Sequence, residues 1–242
     1  MTGKQAVMAP LIAIVGCDGS GKSTVNEQIL IWMNGYAPAV AAHLGKQAGN
    51  VGRSLARLPL IGSWFERLIA RKTASVNKSH DNRRTPGIFP AIVMYGFTLR
   101  RMLRFRRMLA LRRKGFIIVT DRFPQLEVPG AYDGPSLSVS AQGNFIVRWL
   151  AQREQAAFEW MTGFQPDLVI RLNVDLDTAC ARKPDHLREL LRKKIEVTPL
   201  LKFNGAAIVE IDSALPLTEV LSATKTAVSR VLTELGYERS EP

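Results

Sequence analysis

An α/β fold, a parallel sheet with helices on both faces, is predicted by three observations. A glycine-rich run, Gly16-Cys17-Asp18-Gly19-Ser20-Gly21-Lys22-Ser23-Thr24, follows directly on the apolar stretch Leu11–Val15. Further apolar or β-branched runs recur at Ala39–Leu44, Phe116–Thr120, Leu168–Val174 and Ala207–Ile211, each short and nearly uninterrupted, as strands buried on both faces must be. Longer stretches with helical spacing separate them, and turn formers such as Pro59, Gly62, Pro86-Gly87, Pro90, Gly163, Pro166, Gly205 and Pro216 punctuate the boundaries.

The first strand runs into the spacing G-x-x-x-x-G-K-S, and a helix over Lys22–Asn34 is predicted after it, with Val25, Ile29, Leu30 and Met33 on one face. Glycines let the backbone curl so that successive N–H groups point inward at phosphate oxygens. The helix that follows adds the positive end of its dipole. Gly16, Asp18, Gly19, Ser20, Gly21, Lys22, Ser23 and Thr24 are therefore candidates for holding a nucleoside triphosphate. Lys22 would reach the β- and γ-phosphates, and the Ser23 hydroxyl would ligate Mg²⁺.

After the second strand, residues 51–90 interleave Leu55, Leu58, Leu60, Ile61, Trp64, Phe65, Leu68 and Ile69 with arginines and Lys72. This basic helical insertion, with a helix over Trp64–Lys78, either packs on the sheet or lies on a membrane; packing is the more frequent outcome. A helix over Ala91–Arg113 leads to the third strand, which ends in Asp121-Arg122. In open parallel sheets, ligands gather at the carboxyl ends of strands. Asp121 and the glycine loop then share one edge. An Asp there holds Mg²⁺ through water or orients the acceptor's attacking oxygen, and an Arg there clamps an anionic acceptor. The alternative for the pair is a structural ion pair. Three more helices are predicted over Gly143–Met161, Leu176–Lys194 and Leu217–Leu235, and the tail after Tyr237 reads as a frayed end.

At 242 residues, 46% of them hydrophobic, residues 1–242 read as one domain with a full core. The net charge of +12 is concentrated: residues 98–114 carry eight basic residues and no acid, and residues 51–84 carry eight against Glu66 and Asp81. That points to an anionic partner near these segments, set against the alternative of a solvated basic face. Arg100, Arg104 and Arg107 fall in a narrow helical stripe. Cys17 and Cys180 make no disulfide framework, and Met1–Pro10 lacks the character of a signal peptide. No apolar run reaches the ~18 residues of a membrane span. A cytoplasmic setting is the default. No nucleic-acid reading helix or aromatic RNA-binding signature is present, so specific nucleic-acid binding is not expected.

Taken together, Gly16–Thr24, Val119-Thr120-Asp121-Arg122-Phe123, Gln165–Val174 and Val209-Glu210-Ile211-Asp212 resemble the thymidylate kinase family of nucleoside-monophosphate kinases. The resemblance implies a three-layer P-loop NTPase sandwich with a five-stranded parallel sheet in order 2-3-1-4-5 and a lid. It also implies ATP- and Mg²⁺-dependent phosphoryl transfer to a nucleoside monophosphate, simplest dTMP, often in a homodimer. By position, Phe97 would stack the acceptor base and Arg100 or Arg101 would hydrogen-bond it. Asp18 matches the acidic residue often found in the family's phosphate loop, whereas Gly19 replaces a base that some members carry. Members that lack this base take lid cations instead, here sought within residues 181–194, with Arg182 and Arg188 first and Lys183 next. Lys22, Asp121, Arg122, Arg182 and Arg188 are then the candidate catalytic set, and Ser23 and Asp121 the metal set.

The sequence departs from the family after Arg122-Phe123. Pro124–Pro135 is broken by prolines, by Gly130 and by the Asp133-Gly134 turn, and cannot form the family's small-residue helix. The acceptor side is rebuilt. The same kinase machinery acting on another acceptor (a different nucleotide, a nucleoside, a phosphorylated sugar or a glycan precursor) is therefore the runner-up. An NTP-gated module docking on an anionic surface, such as a membrane, is the reading from another class.

Overall fold

The computed structural model describes residues 8–45, 87–139 and 144–240. Five parallel strands, β1 (Leu11–Gly16), β2 (Ala39–Ala42), β3 (Ile117–Thr120), β4 (Leu168–Asn173) and β5 (Ile208–Asp212), lie in the order β2-β3-β1-β4-β5. β1 is central and wholly buried; Ile12 lies opposite Val119 on one side and Leu168 on the other. This is the expected α/β sheet with the expected strand order.

The alternation along β1 assigns the two layers. Leu11, Ala13 and Val15 face the side covered by α2 (Ile88–Arg113) and α3 (Phe145–Thr162), packing with Phe105, Met108 and Phe158. Ile12 and Ile14 face α1 (Lys22–Met33) and α6 (Leu217–Glu234), packing with Val25, Ile29, Val228 and Leu232. Phe105 anchors an aromatic cluster, its ring edge-on to Phe123 and Trp160. α2 starts earlier than expected because Pro90 sits in its first turn, where no backbone N–H is needed.

Two expectations are corrected. The helix predicted over Leu176–Lys194 is two helices, α4 (Leu176–Arg182) and α5 (Arg188–Val197). Pro184 disfavours the helical region for Lys183, which caps α4 at φ −137°, ψ 66°. The tail after Tyr237 is not frayed over its described part. Ser240 N–H donates to the Gly35 carbonyl, and the Arg239 guanidinium lies 5.5 Å over the Trp32 ring. The expected helix at Trp64–Lys78, and most of the basic insertion, lie outside the described residues. Among the described residues no helix is long and apolar enough to cross a membrane.

Candidate functional site

The loop between β1 and α1 lies at the carboxyl edge of the sheet, and its backbone admits little else. Gly16 has φ 153°, and a Cβ there would sit 2.5 Å from the Leu172 carbonyl oxygen and 2.6 Å from Ser20 Oγ. Gly19 has φ 89°, and its Cβ would lie 2.9 Å from the Ala179 carbonyl oxygen on α4. Ser20 is fully buried, its Oγ without a hydrogen-bond partner among the described residues. Ser23 and Thr24 stand exposed in the first turn of α1. The Lys22 ammonium folds back over the loop and donates to the Cys17 carbonyl at 2.5 Å. Burial, with help from Arg122 and Lys194, lowers its pKa to about 8 despite Asp18. The buried, free Cys17 is a small packing residue, and burial raises its thiol pKa.

Asp18 is the electrostatic centre of this edge. Its carboxylate pairs with Lys194 of α5, stands 3.6 Å from an Arg122 nitrogen and 3.8 Å from His186 Nδ1. Burial alone would raise its pKa; the Lys194 hydrogen bond and the charges of Lys194, Lys22 and Arg122 outweigh this and bring it to about 2. Arg122 reaches the other way to Asp133, at 3.8 Å. A Cβ on Gly45 would lie 2.7 Å from Arg122 Cδ, so the glycine makes room for this arginine.

Asp121 follows β3 on the same edge. One carboxylate oxygen is 3.1 Å from His43 Nδ1, just beyond β2. The other, Oδ1, is buried with no partner among the described residues. A buried carboxylate oxygen left over in this way can accept a proton donor or a cation. Together, the glycine loop, Lys22, Asp121 and Arg122 can bind polyanions and steady a negatively charged group beside them.

The remaining sequence candidates divide. Arg182 donates to the Gly19 carbonyl at 3.3 Å and the Ser213 carbonyl at 2.9 Å, tying the loop to the β5–α6 connection. Arg188 pairs with Asp177 on the exposed side of α4, so it is Lys194, from the same basic run, that reaches the loop. Phe97 is half-buried on α2 and Arg100 exposed. Arg101 sits differently from Arg100. It is 2% exposed, and its guanidinium donates to the Asp133 carbonyl at 2.6 Å and to Asp133 Oδ1 at 2.5 Å. Its fork is thereby turned to the loop after Phe123. That loop is irregular, as its prolines and glycines require.

Sequence reasoning missed His43, Asp133 and Tyr132, and passed over Lys194 in favour of Arg188. Asp133-Gly134 reads as a turn, and nothing in linear spacing reveals that its carboxylate meets Arg101 from 32 residues away. The Tyr132 hydroxyl donates to the Lys194 carbonyl at 2.6 Å and is hydrogen-bonded to Thr198, and burial holds its pKa above the usual phenol range.

No protein-family model matches the chain. Over 223 residues, 92% of its length, the chain is 43% identical to the uncharacterized ATP-binding protein YghS of Escherichia coli K12, 93% of which is covered. It is 40% identical over 222 residues, 91% of its length, to the uncharacterized ATP-binding protein YghR of the same strain, 87% of which is covered.

Proposed function

The chain belongs to the family of the Escherichia coli ATP-binding proteins YghS and YghR, and on that premise we propose that it binds ATP and transfers the γ-phosphoryl group to an anionic acceptor. The observation that carries this reading is the shared edge: a glycine loop with Lys22, and beside it Asp121 with a buried oxygen unpaired among the described residues and Arg122 held between two carboxylates.

In this reading the loop N–H groups of Gly16–Thr24 cradle the β- and γ-phosphates, and Lys22 neutralises them. A phosphate beside Lys22 raises its pKa again from about 8, so the lysine stays charged while the nucleotide is bound. Arg122 leaves its long contact with Asp18 for the acceptor's anion. Arg182 and Lys194, at the mouth of the loop, supply cations over the transferring group; a cation so placed can be worth ~10³ in rate. Ser23 and Asp121 would hold Mg²⁺, and the exposed hydroxyl and orphan carboxylate oxygen suit a hard cation. That ion would draw charge from the phosphate oxygens. Residues 181–194 act as the lid. Catalysis is positioning and charge neutralisation, with little covalent work for the protein.

The resemblance to thymidylate kinases makes dTMP the simplest acceptor, with Phe97 against the base and Arg100 beside it. One observation favours a second reading, a hydroxyl acceptor such as a nucleoside or sugar. His43 Nδ1 lies 3.1 Å from Asp121, and an imidazole–carboxylate pair can take a proton from a hydroxyl, which a phosphate acceptor does not require. The test is a coupled ADP-release assay with ATP and Mg²⁺ across dTMP, dUMP, CMP, UMP, thymidine and sugar phosphates, with Asp121→Ala as control. Lys22→Ala abolishes transfer and leaves the fold intact; unchanged turnover in that variant refutes the assigned phosphate site.

A further inference from the structure

We propose that the solvent face of α2 is a docking surface for an anionic lipid bilayer, a property that stands apart from the phosphotransferase reading. The helix spans 26 residues, about 39 Å. Its inner side carries Thr98, Arg101, Phe105, Met108, Leu109 and Arg112. On the outer side Ile92, Leu99, Leu103 and Ala110 fall within about 40° of one another at about 100° per residue. Ile92 is 50% exposed and Leu103 60% exposed. Exposed cations flank this apolar line on both sides: Arg107 and Lys114 along one flank, Arg106 and Arg113 along the other. Arg106 also lies 5.6 Å over the exposed ring of Trp160 on α3. Residues 87–115 contain no acid to balance them.

A straight apolar ridge between two rows of cations is the pattern of a helix lying in a membrane interface, apolar side chains in the acyl boundary and cations among headgroup phosphates. Charge complementarity selects the occupant. A second copy of the chain would bring the same cations to the contact and be repelled. A nucleic acid would match the charge and leave the apolar ridge without a partner. The orientation is compatible with an open site. Residues 106–114 lead through Gly115 into the amino end of β3, whereas Asp121 lies beyond its carboxyl end. An anionic surface held by these cations therefore leaves the carboxyl edge accessible.

The test is co-sedimentation of the full chain with vesicles of phosphatidylcholine alone and of equimolar phosphatidylcholine and phosphatidylglycerol. We expect retention on the anionic vesicles only, lost when salt rises from about 0.1 M to about 1 M and the screening length falls from about 10 Å to about 3 Å. Each cation near such a surface strengthens binding about fivefold, so Arg107→Gln/Arg113→Gln weakens it about 25-fold. Leu103→Asp weakens it as well. Lys202→Gln/Arg230→Gln removes the same charge away from α2 and serves as the control, with circular dichroism and thermal melts checking that each variant folds. Several results overturn the proposal: no retention, equal retention on neutral vesicles, or equal weakening in the control pair. Retention that ignores the α2 variants also overturns it and assigns binding to another segment, residues 46–86 included. A dimer in solution that Leu103→Asp dissociates assigns the face to a second copy instead.

Discussion

Asp133→Ala removes the carboxylate against which a buried arginine is neutralised, and the cost can be worked from the contacts. Arg101 is 2% exposed and Asp133 4% exposed. Two of the three guanidinium nitrogens bond to Asp133; Nε has no partner among the described residues, and the group lies 5.5 Å over the Phe158 ring. Burial pushes the Arg101 pKa down, and the Asp133 charge opposes it. Without that charge, the carbonyl of residue 133 and the field of Glu154 remain among the described residues. Stranding one partner of a buried pair costs about 3–5 kcal/mol. At about 2–4 °C per kcal/mol for a chain of this size, Tm falls by roughly 6–20 °C. Arg101→Met keeps the aliphatic volume and leaves Asp133 facing Arg122, so it costs less. Arg101→Met/Asp133→Leu recovers most of the loss, with a coupling of about 2 kcal/mol or more in a double-mutant cycle. Urea unfolding followed by tryptophan fluorescence gives all three values. Asp133→Ala within about 1 kcal/mol of the parent, or strictly additive single variants, would refute the buried pair. An Arg101→Met protein of parental stability but raised acceptor KM would return Arg101 to substrate binding.

Two further outcomes follow from the loop. Gly16→Ala forces a side chain into φ 153° and within 2.5 Å of a backbone carbonyl, so a thermal melt should show a loss of at least ~2 kcal/mol. ATP binding by calorimetry should disappear with it; a parental Tm would contradict the close approach. Asp18 titrates near 2 in the folded chain against an ordinary 3.8, so the unfolded chain takes up that proton first as pH falls. Its contribution, about 2 kcal/mol, is fully present above pH ~4 and lost between about pH 4 and pH 2. Asp18→Asn should flatten that part of the stability profile, and an unchanged acid limb would show that the Lys194 pair contributes nothing.

The parts of the fold that sequence exposes best are those set by local rules. The strands are buried on both faces and read as unbroken apolar runs, and the glycine loop declares itself by a spacing that only phosphate-binding backbone needs. Asp121 and Arg122 were legible because they terminate such a run at the edge where the loop emerges. Arg101 was not, because within a run of eight basic residues it looks like any solvated cation; its packing against Phe158 and its bonds to Asp133 select it for burial. Lys194 and His43 depend on where separate elements end at the sheet edge, which spacing does not encode. The break between α4 and α5 was legible in principle, since Pro184 forbids a continuous helix.

The Tyr132 hydroxyl joins two parts of the molecule that the chain keeps far apart, bonding the rebuilt loop after Phe123 to the end of α5 at Lys194 and Thr198. The same loop holds Arg101 and Arg122 through Asp133, and the same end of α5 holds Asp18 through Lys194. Any rotation of α5 toward the glycine loop must either drag residues 132–133 with it or break the phenol's bonds, each worth about 1 kcal/mol. The two flanks of the cleft are thus geared together, and an event felt on one side of Asp18 is transmitted to the other through this ring as well as through Arg122.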